Sequence, residues 1–311
     1  MQLNAEYFAM IGNSTLRMMM PLLYASLAAA ICNKVKVFNI SMEGTMMAAA
    51  FTSIVVNHYT HSILASVLGA VISSVLLSAA IAWFIIKLKA SPVVVGMAIN
   101  TSMAGLTSYL LYIFFDTKGM YTSTELVSLT KLNLPVIRNI PILSTLLSNL
   151  TALDYFAVFA AVLIYIFLYK TVLGYKMRAV GINSEAARSL GTPVERYQFA
   201  VFSLSGVITG LAGCLLSMGS VTLFILNITS GRGYIAMAAN NLGRSHPLGV
   251  LLSSFFFGIF QSLGNVLQNT SLKTQITSSI PYVATIIALV AFSIQKKYSR
   301  EKKIRKALDR K

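Results

Sequence analysis

From position 62 to position 86 the chain runs 25 residues without one charged side chain. That length exceeds the ~20 apolar residues a helix needs to cross a bilayer, where each backbone polar group must be satisfied within the protein. Predominantly apolar runs of 15 to 25 residues, at most one charge in each, occupy 11–33, 39–57, 92–115, 155–173, 199–223, 248–267 and 280–294. A shorter apolar piece, 234–242, cannot span alone without bilayer thinning or burial in protein. Only 11% of the 311 residues are charged and the mean hydropathy is +0.72, against roughly 25% charged in a soluble domain. The expected fold is all-α: one transmembrane domain over 1–311, a polytopic helical bundle of about 8–10 spans with one short or interrupted helix.

Basic residues set the orientation, because they concentrate in cytoplasmic connections. Lys34, Lys36, Lys87, Lys89, Lys170, Lys176, Arg178, Arg188 and Arg196 fall in alternating connections, and the tail over 296–311 is strongly basic. Placing these inside puts the N-terminus outside and the C-terminus inside. The 234–242 piece must then cross, leaving Arg244 and His246 inside, and the 116–154 connection lies outside. The count is nine crossings, or eight plus a re-entrant segment.

The net charge of +16 follows from this cytoplasmic bias and the tail, which can touch anionic headgroups. No basic patch is interleaved with stacking aromatics, so nucleic acid is not an expected partner. The segment ending Leu27-Ala28-Ala29-Ala30-Ile31-Cys32 looks superficially like a processing site, but Glu6 and the missing basic n-region mark a retained first span. Cys32 and Cys214 fall in predicted spans and indicate neither a disulfide framework nor a metal site. There is no P-loop, no HExxH and no nucleophile–base pair, and no cofactor is expected. His58 and His61 read as solvated loop residues. Energy must be borrowed from another subunit or from an ion gradient.

Between the fifth and sixth long runs lies a polar insert, Val180-Gly181-Ile182-Asn183-Ser184-Glu185-Ala186-Ala187-Arg188-Ser189-Leu190-Gly191. Asn183 or Ser184 can N-cap a helix whose first turn carries Glu185, where the macrodipole favours negative charge. Gly191 suits a left-handed C-cap, and Pro193 prevents further winding. A helix of about two turns is expected, at ~3.6 residues per turn. The spacing Glu185-Ala186-Ala187, three residues, then Gly191 resembles the EAA-type coupling loop of ABC-importer permeases. The longer pattern Gly181-x-Asn183-x-x-Ala186-Ala187 resembles the branch for simple sugars, nucleosides and branched-chain amino acids.

Three further segments carry the resemblance. Asn39-Ile40-Ser41-Met42-Glu43-Gly44 is similar to the family's Asn-Ile-Gly-x-Glu-Gly, with Ser41 in place of the usual glycine. Ser91-Pro92-Val93-Val94-Val95-Gly96-Met97-Ala98-Ile99-Asn100 resembles a valine-rich turn leading to Gly and Asn. Gly231 to Ala239, then Leu242-Gly243-Arg244-Ser245-His246-Pro247-Leu248-Gly249, resembles the family's Gly-aromatic-x-x-Ile-Ala stretch and Leu-Gly-Arg-x-x-Pro-x-Gly ending. Asn240 and Asn241 depart from the small or aliphatic residues usual there. They must find partners at membrane depth, in a cavity or between helices.

The resemblance implies a non-enzymatic permease subunit of an ABC importer in the bacterial inner (cytoplasmic) membrane, most like the purine-nucleoside branch. It implies a second permease, identical or similar, a cytoplasmic ATPase subunit, and a soluble or lipid-anchored extracytoplasmic binding protein. The coupling loop would span 175–196, with Gly181, Asn183, Glu185, Ala186, Ala187, Arg188 and Gly191 coupling to the ATPase. Asn39, Glu43, Asn100, Asn240 and Asn241 would line the pathway. For Glu43 two readings stand: it shapes the pathway, or it brackets a helix start with Asn39 or Ser41 as cap. The rival function is an ion-coupled secondary transporter, which usually shows intramembrane carboxylates. Few charges lie inside the predicted spans, which suits a neutral solute.

Overall fold

The computed structural model describes residues 5–132, 141–219 and 221–268, together with isolated helical positions 283, 284, 286, 287, 290 and 294. The predicted 280–294 run, apart from those positions, and the 296–311 tail lie outside the described residues.

In order, the helices are α1 (Ala5–Asn33), α2 (Met42–Thr60), α3 (Ile63–Ala82), α4 (Pro92–Phe115), α5 (Pro141–Leu147), α6 (Ala152–Lys170), α7 (Val172–Ile182), α8 (Ser184–Ser189), α9 (Val194–Met218), α10 (Arg232–Leu242) and α11 (Pro247–Gln268). A π-helical turn, Trp83–Lys87, prolongs α3. Among the described residues six helices are long and apolar enough to cross a membrane: α1, α3 with its π turn, α4, α6, α9 and α11.

Helix α3 shows why this is a membrane fold. Its buried face is Ser66, Ala70, Ser74 and Ser78, while Leu64, Leu68, Ile72 and Leu76 point outward. Water would reverse that pattern; lipid favours it, because small residues allow close helix contact and hydrocarbon solvates the leucines. Helix α9 is the hub on which α1, α2 and α3 pack. Its Gly206 and Gly210 sit so close to the α3 backbone that an added Cβ would approach Ser74 O and Val71 Cα to 2.9 Å. Hydroxyl pairs complete these contacts, Ser74 with Thr209 at 3.0 Å and Ser53 with Ser217 at 2.7 Å.

Two short antiparallel pairs close the end opposite the coupling loop: β1 (Met120–Tyr121) with β4 (Phe224–Ile225), and β2 (Lys131–Leu132) with β3 (Leu150–Thr151). Tyr121 stacks on Phe115 and its hydroxyl meets His58 Nδ1 at 2.8 Å. Desolvation by burial pushes the Tyr121 phenol above its ordinary value. At the other end Asn33 Nδ2 donates to Ser245 Oγ, and His246 packs on the Tyr165 and Tyr169 rings. Arg244 and His246 therefore share an end with Lys34 and Arg178.

At three of the boundaries that differ from expectation the reason is local. Helix α2 starts at Met42 rather than 39, because Asn39 Oδ1 accepts from Ser41 N and Ser41 Oγ in a turn that precedes winding. Helix α6 starts at Ala152 rather than 155, because Thr151 and Asp154 form a capping box. Helix α9 stops at Met218 rather than 223, where the chain turns into β4.

Candidate functional site

The insert folds as a capped arm. Thr171 Oγ1 accepts from Gly174 N to start α7, whose far end meets the tip of α1. There Gly181 lies directly on the Lys34 carbonyl, leaving no space for a Cβ, and Lys36 Nζ donates to Ile182 O at 3.4 Å. Arg178 sits between the Tyr169 and Tyr175 rings, 4.5 and 4.6 Å from their centroids. Asn183 Oδ1 accepts from Glu185 N and Ala186 N, both at 3.1 Å, and so caps α8. The helix ends with Gly191 at φ +78, while Thr192 N donates to Ala187 O.

This geometry divides the predicted coupling residues by task. Asn183 and Gly191 delimit α8, Gly181 seats the arm, and buried Ala187 anchors the helix to its base. Glu185, Ala186 and Arg188 face outward. Sequence reasoning missed Ile182 and Leu190, which bracket α8 and are 79% and 86% exposed. Their signal was available: two large aliphatic residues inside an otherwise polar insert.

A second cluster gathers around the start of α2. Glu43, 6% exposed, accepts backbone N–H bonds from Gly231 at 2.7 Å and Gly233 at 2.6 Å. Its carboxylate thus faces the N-terminus of α10 from the first turn of α2, and each helix places partial positive charge beside it. Asn100 completes the junction: its Oδ1 accepts from Gly44 N at 2.8 Å, and its Nδ2 donates to Ile40 O and Tyr234 Oη at 3.0 Å. Asn39 Nδ2 donates to Ser205 Oγ at 3.3 Å. Ser41, where the family pattern has glycine, adopts φ −75 and ψ 5, a conformation open to any residue.

Helix α10 is therefore a half-helix. Asn100 stands eight residues after Pro92, about 12 Å along α4, and Tyr234 meets it there. From that depth 11 residues reach only about 16 Å, ending beside Asn33 at the coupling-loop end. The 221–231 segment leads back to this depth as β4 and turns. Asn240 and Asn241 occupy the far end of α10, away from the Glu43 junction; Asn240 is buried and Asn241 exposed. No described side chain hydrogen-bonds to Asn240 Oδ1.

Sequence reasoning also passed over Arg17, a charge within the first predicted run. With Asp154 and Arg232 it lines a cavity of about 140 Å³. Among the described residues no group of three or more His, Cys, Asp or Glu side chains could hold a metal ion.

A family model described as branched-chain amino acid transport system / permease component matches residues 12–290. The nucleoside ABC transporter permease protein NupC of Lactococcus lactis is 31% identical over 284 residues, 88% of each chain. The guanosine ABC transporter permease protein NupQ of Bacillus subtilis is 29% identical over 298 residues, 92% of this chain and 93% of its own. A solved chain assigned to a metal-chelate type ABC transporter, in an inward-facing conformation, shares the fold at a TM-score of 0.52 and 14% identity, covering 88% of this chain and 85% of that one.

Proposed function

The chain belongs to the branched-chain amino acid transport system / permease component family, and from that premise we propose that it moves nucleosides or simple sugars across a bacterial inner membrane. It is a multi-pass permease subunit of an ABC transporter and not itself an enzyme. An extracytoplasmic binding protein, soluble or lipid-anchored, delivers the solute. A separate cytoplasmic ATPase supplies the energy, and a second permease, identical or similar, completes the pathway.

The observation that carries this reading is α8: a short capped helix whose Glu185, Ala186, Arg188 and Leu190 face outward from a rigid arm. Leu190 supplies the apolar anchor and Glu185 and Arg188 the charged rim that a protein-docking knob needs. Motion of α8 passes through Thr192 and Pro193 into α9, and through the Arg178–tyrosine stack to the His246 turn at the base of α10. Helix α9 and the half-helix are thereby tied to the docking helix.

Helix α4 is the wall we assign to the second permease. It exposes Ala98, Thr101, Ser102, Ala104 and Gly105, small and hydroxyl residues that favour helix contact over lipid solvation. A neutral solute suits the exposed Tyr234 hydroxyl and Asn241 amide, whereas the Asn100 amide is already held by Gly44, Ile40 and Tyr234. Against ion coupling, each Glu43 oxygen already accepts a backbone N–H.

The test is a pull-down of the full-length chain from detergent, followed by uptake of labelled nucleoside and ribose into cells. A P-loop ATPase recovered with the wild type and lost with Glu185→Ala combined with Leu190→Glu supports the reading. No ATPase in either sample, or uptake that survives ATP depletion and fails with the ion gradient, refutes it.

A further inference from the structure

The π-helical turn at the end of α3 and the first turn of α9 enclose a cleft of about 450 Å³ beside α8. The π turn adds a residue to its helical turn and re-phases the chain, so that Ile86 is buried while Lys87 reaches Glu195 Oε2 at 3.0 Å. Ile86, Val194, Phe199 and Ala200 form an apolar floor, and Lys87, Arg188 and Arg196 stand around it with Glu195. The lining carries an excess of two positive charges, and Lys89 is also within electrostatic reach of Glu195.

Ordinary cytoplasmic bias scatters basic residues along loops; here three converge on one concavity from three elements. Trp83 and Phe84, exposed on the same π turn, have the character of residues at the headgroup boundary. Leu76 and Ile72 continue the exposed apolar face of α3 towards the bilayer centre. A basic rim above an apolar floor, at the cytoplasmic interface and between two spanning helices, matches one kind of molecule.

We propose that this cleft binds one anionic glycerophospholipid of the inner leaflet, its phosphate among Lys87, Arg188 and Arg196 and its chains along Ile86, Phe199 and the α3 face. The charge selects an acidic headgroup, and the floor selects a molecule with acyl chains over free phosphate. Because Arg188 belongs to α8, the lipid ties the docking helix to the membrane; that consequence rests on the ATPase-docking role of α8, whereas lipid binding does not.

Native mass spectrometry of the purified full-length chain, without ATPase, tests the site. The chain is presented with phosphatidylglycerol and phosphatidylcholine of matched acyl composition. The wild type retains one phosphatidylglycerol in preference to phosphatidylcholine. Arg196→Gln weakens retention about fivefold, Arg188→Gln adds a similar factor, and Arg196→Lys keeps most of it. Equal retention of both lipids, or wild-type retention by the double variant, overturns the proposal. So does displacement by millimolar inorganic phosphate, which would make the site one for free anions. Displacement by added ATPase subunit would assign the cleft to the protein partner and overturns it equally. Since retention is read without the ATPase, its failure is separable from failure of the pull-down.

Discussion

Replacing Glu43 by Gln isolates the contact that holds the half-helix. The wild-type carboxylate accepts from Gly231 N at 2.7 Å and from Gly233 N at 2.6 Å, at a site 6% exposed. Hydrogen bonds to a charged group contribute about 1.5–3 kcal/mol each. Gln keeps the size and one acceptor oxygen but turns an NH₂ group towards the second amide. One charge-assisted bond is lost and two donors oppose each other. The expected destabilisation is about 2–4 kcal/mol, or roughly 4–10 °C in the unfolding midpoint by the scaling of soluble domains. Cys32 and Cys214 are both free and buried, so a thiol-reactive dye in detergent reports unfolding without added labels. Glu125→Gln, on the exposed 116–132 segment, is the control and leaves the midpoint in place. A Glu43→Gln midpoint within 1 °C of wild type, on the same scaling, would falsify the claim that this carboxylate anchors α10.

Asn183→Ala removes the only side-chain cap of α8 and costs about 1 kcal/mol locally; ATPase recovery falls severalfold while the dye midpoint is unchanged. Leu190→Glu, at a position 86% exposed, leaves stability intact and cuts ATPase recovery at least tenfold, on the order of a lost interface anchor. Gly181→Val drives a side chain into the Lys34 carbonyl and separates α7 from the end of α1, destabilising by about 1–3 kcal/mol. Uptake then falls while ATPase binding persists, and unchanged uptake at full expression would remove the arm from the coupling route.

What the sequence disclosed and what it withheld divide along contact range. Helix α8 was legible because both its ends are written locally: Asn183 bonds amides two and three residues on, and Gly191 takes the positive φ that ends the helix. The long spans were legible because lipid imposes length and apolarity on each separately. The partner of Glu43 was not, since it lies 188 and 190 residues away and carries no side-chain signature, only two glycine amides. Local patterning left open a pathway wall or a helix-start bracket. The geometry brackets two helix starts at once, α2 by position and α10 by hydrogen bonds. Arg17 was hidden by averaging, because one charge among some twenty apolar neighbours barely moves a hydropathy window.

The Glu43 junction also explains how a span can be interrupted without an unsatisfied helix end. A half-helix starting level with Asn100, about 12 Å along α4, presents its first N–H groups between spanning helices, and each left unsatisfied there is a liability of several kcal/mol. Glu43 takes two of them, and Asn100 holds Tyr234 one turn on while also accepting from Gly44. The carboxylate is in turn stabilised by the dipoles of both helices, so neither the buried charge nor the buried helix end is tolerable without the other. Removing the charge should therefore be felt at Gly231 and Gly233 before it is felt within α2. Amide exchange in the double-glycine turn should accelerate in Glu43→Gln, while the α2 amides from Met46 onward keep wild-type protection.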